Sequence, residues 1–565
     1  MSLFSVMNLS AQSLMANELG IRVVSNNISN ANTPGYIREQ LNVTPGPIQR
    51  MGNLNLGTGV RVQGIEQSID VFVASRLREA KSDLNGGTEE RDVLLEIESI
   101  LGELNDNDLS SGLNRFFSSV HDIVNQPDSV SLRNVSVLEG QQLTTDIRAI
   151  DSQLRTVRGR VNDQIADGVD QVNSLLREIS DLNVKILEAE GGLVSSSAAV
   201  GLRDQRLLAV EKLSELVDVR VAEQEQGTVS VYAGGEFLVF DSTYRQLAVT
   251  TEPDRGLVTN QLVLSDTNGP VDFSTGKLGG WLTARDVTLA NTIDKFNDFA
   301  RNLSYEFNRI FSSSQGLRGN TELTSNQRVE SISAPLDEAG LAFTPESGSF
   351  SVQVRDIDTG QVSTTEIPIS LQGLDDDTSL EDLAASIDSI DGLTATINAN
   401  RQLVISTDRP GIEFAFADDT SGVPAALGLA GFFTGTGASD IGISDDLKRD
   451  PSLFAASQGG IGVDSLSAQA LAALGDQPIE SLGGLSITQI YEQISVEVTQ
   501  TAAAAKAEVD GLEVFHNMIE AEHLSITGVS LDEEAIKLMT YQRSYQASAR
   551  VIQTASQLLE VLVNL

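Results

Sequence analysis

Residues 531–565, LDEEAIKLMTYQRSYQASARVIQTASQLLEVLVNL, set Leu538, Tyr545, Ile552 and Leu559 seven apart, with Tyr541, Ser548, Ala555 and Leu562 as a companion row. A strict seven-residue repeat keeps one helical seam facing a partner helix and favours coiled-coil pairing. The opposite end of the chain repeats the pattern. Met7, Leu14, Ile21 and Ile28 also stand seven apart, and their stretch closes on SNNISNANTPGY, residues 25–36. Matching helices at the two ends predict that the termini meet, with everything between them looped out. That layout suits a subunit of an assembly better than an enzyme.

Charge is distributed to match. The net charge is −41, yet residues 1–60 hold two acidic and three basic side chains and residues 525–565 hold four and three. Residues 321–450 carry 23 acidic against 6 basic side chains. The ends are therefore near neutral, as packed surfaces must be, while the middle repels its own copies and stays solvated. Such acidity argues against nucleic acid as a partner, because nucleic-acid binding needs a basic footprint. With no cysteine in the chain, disulfides and thiolate metal sites are excluded and stability rests on packing. No run approaches the roughly 20 apolar residues of a membrane span, so no membrane partner is expected. The N-terminus does not read as a cleavable signal peptide: the first basic residue is Arg22, and Asn8, Asn17 and Glu18 interrupt any apolar core.

Working inward, the first helix should end near Asn30, and Thr33-Pro34-Gly35-Tyr36 reads as a tight turn with proline at its second position and glycine at its third. Residues 37–70 look extended. From Val71 to Glu190 the pattern is helical, with a long helix over residues 132–187, on the order of 80 Å at about 1.5 Å per residue. Its row Leu143, Ile147, Ile150, Leu154, Val157 and Val161 alternates steps of four and three, stutters through Ile165 and Val169, and resumes at Val172, Leu176 and Ile179. Trp281–Phe311, after a Gly-Gly break, and Ile487–Ile519 read as further amphipathic helices. Before the first of these, Thr228–Phe240 and Gln246–Leu264 alternate as hairpins. Phe350, Val352 and Val354, then Ile412, Phe414 and Phe416, alternate either side of a helix with a capping box at Thr378–Glu381.

The expected fold class is α+β multidomain: terminal coiled-coil-like helices and a discontinuous long-helix bundle that carries β-rich and α+β insertions. The expected division is 1–56 with 525–565 as a terminal helical domain and 57–218 with 281–325 and 451–524 as the bundle. Residues 219–280 would form the β-rich insertion and 326–450 an α+β outer domain.

Catalytic and metal chemistry find little support. Asp375-Asp376-Asp377 lacks the glycine-pivoted spacing of a calcium loop and reads as charge favoured at a helix N-terminus. His516, Glu520 and His523 share one helical face at ligand spacing, but the histidines continue an inner row through Leu512 and Ile519. Gly435-Thr436-Gly437 lacks the lysine and hydroxyl of a phosphate loop and reads as a turn. There is no nucleophile elbow and no histidine with an evident acid partner. No catalytic residue, cofactor or metal site is assigned, and the chain is expected not to be an enzyme.

Two segments carry a resemblance. SNNISNANTPGY near the start and LMTYQRSYQASA, residues 538–549, near the end resemble the terminal signatures of the flagellar axial proteins, the rod, hook and hook-associated proteins. The N-terminal motif residues here are Asn26, Asn27, Asn30, Thr33, Pro34, Gly35 and Tyr36. Hook and distal rod proteins leave that motif for mostly β-structured domains. This chain continues with GTGVRVQGIEQSIDVFVASRLREAK, residues 57–81, and about a hundred helical residues. It thereby resembles the branch of the family that joins hook to filament, as does DDTSGVPAALGLAGFFTGTGASDI, residues 418–441. The resemblance implies type III export without cleavage, an extracellular place on the bacterial flagellum at the hook–filament junction, and terminal helices lining an inner tube. It implies the hook protein, the second hook–filament junction protein and an export chaperone as partners, and self-association into a ring of about eleven subunits. Because Gln12, Asn26, Ser548 and Ala555 leave the companion rows incomplete, the seams are expected to pair with neighbouring subunits. Met7, Leu14, Ile21, Ile28, Leu538, Tyr541, Tyr545, Ile552, Leu559 and Leu562 are the expected assembly interface, and aspartate at Leu538, Tyr545, Ile552 or Leu559 should leave a soluble, assembly-defective monomer. A hook or distal rod protein is the alternative within the class, and a helical-stalk surface adhesin the alternative outside it.

Overall fold

The structure, a computed structural model, describes residues 3–51, 54–102, 108–191, 199–224, 226–374, 377–462 and 464–563. Helix α1 (Leu3–Asn30) leads into strands β1 (Glu39–Pro45), β2 (Ile48–Met51), β3 (Leu54–Gly57) and β4 (Val60–Gln67). Helices α2 (Val71–Leu101), α3 (Leu109–Asn125), α4 (Val130–Glu190) and α5 (Val200–Leu216) follow. Next come β5 (Arg220–Glu223), β6 (Val229–Ala233), β7 (Glu236–Phe240), β8 (Thr243–Tyr244), β9 (Leu247–Asp254) and β10 (Leu257–Leu264). Helix α6 (Gly276–Thr283) passes through a π-helical turn, Ala284–Thr288, into α7 (Leu289–Phe311). A mixed region holds β11 (Glu322–Thr324), β12 (Gly348–Asp356), β13 (Val362–Ile369), α8 (Leu380–Asp388), β14 (Leu393–Ile397), β15 (Leu403–Thr407), β16 (Ile412–Ala417) and α9 (Val423–Leu427). The chain closes with β17 (Phe433–Thr434), β18 (Gly442–Ile443), α10 (Asp445–Arg449), α11 (Leu466–Ala473), α12 (Ile487–Thr527) and α13 (Leu531–Val563). The fold is thus mixed helix and sheet, with long helices at both ends and sheets inserted between helices.

Two compact units form, one from Met1–Val93, Gly159–Arg285 and Ala503–Leu565, the other from Leu94–Arg158 and Asp286–Ala502. In the first, β1 and β4 pair antiparallel with a bulge at Asn42/Val43, and β2 and β3 form a hairpin between them. β5-β6-β7-β8 make a four-stranded antiparallel sheet and β9-β10 a long hairpin. Both are pegged to α4 by asparagines about three turns apart. Asn183 donates to the Val229 carbonyl (2.8 Å) and accepts from the Val229 amide (3.1 Å). Asn173 does the same with Leu247 (2.9 and 2.8 Å). Asn162 donates to the Val258 carbonyl (3.3 Å) and accepts from the Asn260 amide (2.7 Å). Each carboxamide stands in for a strand neighbour and satisfies backbone groups that a sheet edge would leave unpaired.

Gly279-Gly280, expected to break the chain before Trp281, lies inside α6. The reason is close approach: a Cβ on Gly280 would collide with the Gly86 carbonyl oxygen. The helix expected as one piece over 281–311 is interrupted by the π turn, where the buried Arg285 donates to Asn162 Oδ1 (2.9 Å) and the Asn260 carbonyl (2.6 Å).

Among the described residues of the second unit, two groups of apolar side chains stand out. Phe116, Phe307, Phe311, Phe432, Phe433 and Phe454 pack around one another with ring centroids 4.8–6.0 Å apart. The other is built by the sheets β13-β12-β16 and β11-β15-β14 with α8. The capping box on α8 sits one residue later than expected, between Ser379 and Asp382. Thr378 is committed instead to the end of β13, donating its amide to the Ser370 carbonyl and accepting from the Ser370 amide. Of the acidic triplet, Asp375 and Asp376 lie outside the described residues. Asp377 accepts from the amides of Gln372, Gly373 and Leu374, which hold its carboxyl below the usual range. In the Gly435-Thr436-Gly437 turn the amides of Thr436 and Gly437 are taken by Asp440.

Candidate assembly interface

The termini meet within one chain. α1 packs antiparallel along α13, and three contacts fix the register: Asn27 Nδ2 donates to Glu534 Oε2 (3.0 Å), Gly20 lies under the Tyr541 ring, and Ser548 bonds Ser13 (3.1 Å). Each step is seven residues on both helices, the spacing of an antiparallel coiled-coil seam. The seam is not the large apolar row. Ser10, Ala16, Gly20, Val23, Val24 and Asn27 are buried on α1, and Glu534 and Ala555 on α13. A Cβ at position 20 would come within 2.7 Å of the Tyr541 ring. Small side chains let the backbones approach, and the large apolar rows flank the contact. Met7, Leu14, Ile21, Ile28, Leu538, Tyr541, Tyr545, Ile552 and Leu559 are half-buried, and Leu562 is exposed.

The asparagine motif is the lock of this pair. Thr33-Pro34-Gly35-Tyr36 forms the expected turn, with the Tyr36 amide donating to the Thr33 carbonyl (3.2 Å) and Gly35 at φ +76°. The turn returns the chain so that Tyr36 and Glu39 face the end of α1. Asn27, fully buried, donates to the Glu39 carbonyl (2.9 Å) and to Glu534, and its Oδ1 accepts from the Glu39 amide (2.9 Å) and the Tyr36 hydroxyl (2.8 Å). Asn26 donates to Glu39 Oε2 (3.2 Å), and Asn30 donates to the Asn26 carbonyl (3.1 Å) while accepting from Thr33 (3.3 Å). Burial, then the charge of Glu39, raises the Tyr36 hydroxyl well above its usual range, so it remains a donor.

At the start of α13, Glu534 is fully buried and receives Arg38 Nε (3.0 Å) and Lys537 Nζ (3.1 Å) as well as Asn27. Burial alone would raise its carboxyl. The bonds from Asn27 and Lys537 and the charges of Lys537 and Arg38 outweigh that and hold it below the usual glutamate range. Glu533 gives its side chain to Arg38 (2.9 Å) while its amide donates to Ser530 Oγ (3.5 Å), so Ser530 caps the helix without a reciprocal bond from Glu533. Sequence reading missed Arg38 and Glu534, whose roles need the tertiary pairing to be seen.

Outside the seam the two helices leave apolar side chains in the open: Phe4 and Met15 on α1, Leu531, Ile536, Met539, Val551, Leu558, Val561 and Leu562 on α13. Met15 is 65%, Ile536 61% and Leu562 62% exposed. Only Leu562 among these belongs to the expected interface. Val551 and Leu558, seven apart, were the available signal for a second row. Among the described residues no three histidine or acidic side chains gather as a metal-holding group. His516 lies 4.0 Å from Glu520.

Comparison with known proteins agrees with this geometry. Residues 94–324 match the flagellar hook-associated protein FlgK helical domain. Residues 7–36 match the flagella basal body rod protein family, and residues 520–565 the C-terminal family of the flagellar basal body rod FlgEFG proteins. The chain is similar to flagellar hook-associated protein 1 of Salmonella typhimurium (26% identical, covering 99% of this chain and 100% of that protein). It is similar also to that of Escherichia coli (27%, 99% and 100%). The Bacillus subtilis protein of the same name is 29% identical over 40% of this chain. In fold, it resembles the flagellar hook junction protein FlgK from Burkholderia pseudomallei, with a TM-score of 0.51, 17% identity, and coverage of 80% of this chain and all of that one. Paired terminal helices bearing rod-type motifs define an axial protein of the bacterial flagellum. Within that class, the chain is similar over almost its whole length to hook-associated protein 1.

Proposed function

We propose that this chain is a structural subunit of the flagellum that forms the junction between hook and filament. The observation that carries the reading is the terminal pair: a seam closed within one chain by Asn27, Gly20 and Ser548, with a separate apolar face left uncovered. Burying that face between neighbours supplies the drive for assembly at roughly 25 cal/mol per Å² of apolar surface. The hook protein below, the second junction protein above and further copies of this chain in a ring are its proposed neighbours. An export chaperone is its proposed partner before secretion through the type III apparatus. The four-part division, with insertions at 219–280 and 326–450 carried by helices, is proposed alongside. The role is mechanical, with no catalytic step. Deleting the gene should leave hooks without attached filaments, and restoring it should return them. Electron microscopy that finds intact filaments on the deletion strain, or secretion independent of the flagellar export apparatus, would refute this reading.

A further inference from the structure

Arg78, on α2, is 93% buried by its 7% exposure, and its Nε has no hydrogen-bond partner. No carboxylate among the described residues lies within ion-pairing distance of it, and Glu211 acts on it only from further away. A buried Nε–H without an acceptor is costly, so it needs an explanation in something it meets. Facing it from α12 is His523, 8% exposed, whose Nε2 is also buried without a partner. Both line one cavity of about 230 Å³, walled by α2, α5, α12 and the Gly35–Ile37 turn. Burial, and then the charge of Arg78, depress the His523 imidazole, so it is neutral near pH 7. The remaining charged groups are largely engaged or peripheral. Lys81 pairs with Glu215 (2.8 Å), His516 lies 4.0 Å from Glu520, and Glu211 carries a carboxyl raised by burial.

We propose that this cavity binds a carboxylate, held by the Arg78 guanidinium fork with the Nε2–H of His523 as a third donor. A planar carboxylate matches that fork, and charge-assisted bonds of this kind are about twice as strong as neutral ones. The volume admits the tip of an acidic side chain with a water or two, at about 30 Å³ per water. Glu211 and Glu520 on the wall select a monoanion, because a phosphate dianion would meet both. The carboxylate is either free or presented by an acidic side chain of a partner, and the two are separable.

The test uses the full chain with ¹⁵N-labelled arginine, titrated with sodium acetate, N-acetylglutamate amide, inorganic phosphate and sodium chloride at constant ionic strength. The Arg78 Nε–H resonance, assigned by its loss in Arg78→Lys, should move saturably with both carboxylates and bind phosphate at least tenfold more weakly. Tighter binding of the glutamyl compound assigns a side-chain source, and equal or tighter binding of acetate a free acid. His523→Gln should weaken either carboxylate severalfold, and it provides a second assignment should Arg78→Lys not fold. A resonance indifferent to both carboxylates, moved equally by chloride, or moved most tightly by phosphate overturns the proposal and leaves a water-filled structural cavity.

Discussion

Asn27 shows how much one side chain can settle. All four of its polar contacts are made, to Glu39 twice, to Tyr36 and to Glu534, so removing it strands several buried groups together. Asn27→Ala is expected to cost about 1–3 kcal/mol, read by denaturant unfolding, with faster hydrogen exchange in both terminal helices. Unchanged exchange would show that the helices pair without the lock. Asp204, on α5 and hydrogen-bonded to Gln67, gives a pH prediction. Burial pushes its carboxyl up to about 6 from 3.8, with Gln67 opposing and Glu39 adding to the rise. A raised folded-state pKa contributes stability fully below pH 3.8 that is lost as the pH climbs through about 6. Asp204→Asn should therefore exceed the parent chain in stability at pH 8, by up to about 2 kcal/mol after allowance for solvent screening. The gap should shrink towards pH 4, and a gap constant across that range would contradict the assignment. The asparagine motif was legible as a motif and its turn as a turn. What each asparagine holds was not, since Glu534 is some five hundred residues away in the chain.

At the scale of elements, hydropathy period carried most of the reading and misled where polar or small residues do the packing. The long helix α4, the hairpins β6-β7 and β9-β10, and strands β12 and β16 fall where alternation and periodicity put them. The terminal seam does not follow the largest side chains. Close helix approach selects Gly20, Ser13 and Ser548, and size pushes the leucine and isoleucine rows to the flanks. Asparagines on α4 escaped notice for the same reason, since a polar residue in a helical pattern reads as solvated. Asn183→Ala should cost about 1–3 kcal/mol by leaving the Val229 amide and carbonyl unpaired. The loss should appear as local exchange in β6 before global unfolding. The flanking position of Leu538, Tyr545, Ile552 and Leu559 also revises their expected phenotype. Aspartate there should loosen the monomer's own helix pair as well as any assembly, so a lowered melting temperature is expected for each.

For the whole molecule, charge and apolar exposure divide the labour. The net charge of −41 keeps copies apart, while the exposed face of α1 and α13 gives them a reason to associate. Self-association of the purified chain should therefore rise with ionic strength as the Debye length falls to about 8 Å at 0.15 M salt. Sedimentation that shows no salt dependence would argue against apolar contact limited by repulsion. The central claim is that this exposed face, rather than the closed seam, joins subunits, and Met539→Asp with Leu558→Asp tests it most directly. Both side chains are open in the monomer, so folding and melting temperature should stay unchanged. The account predicts that cells carrying this double variant export it, yet electron microscopy finds hooks bare of filaments. Normal filaments on those cells, with the variant present at the hook tip, would contradict it.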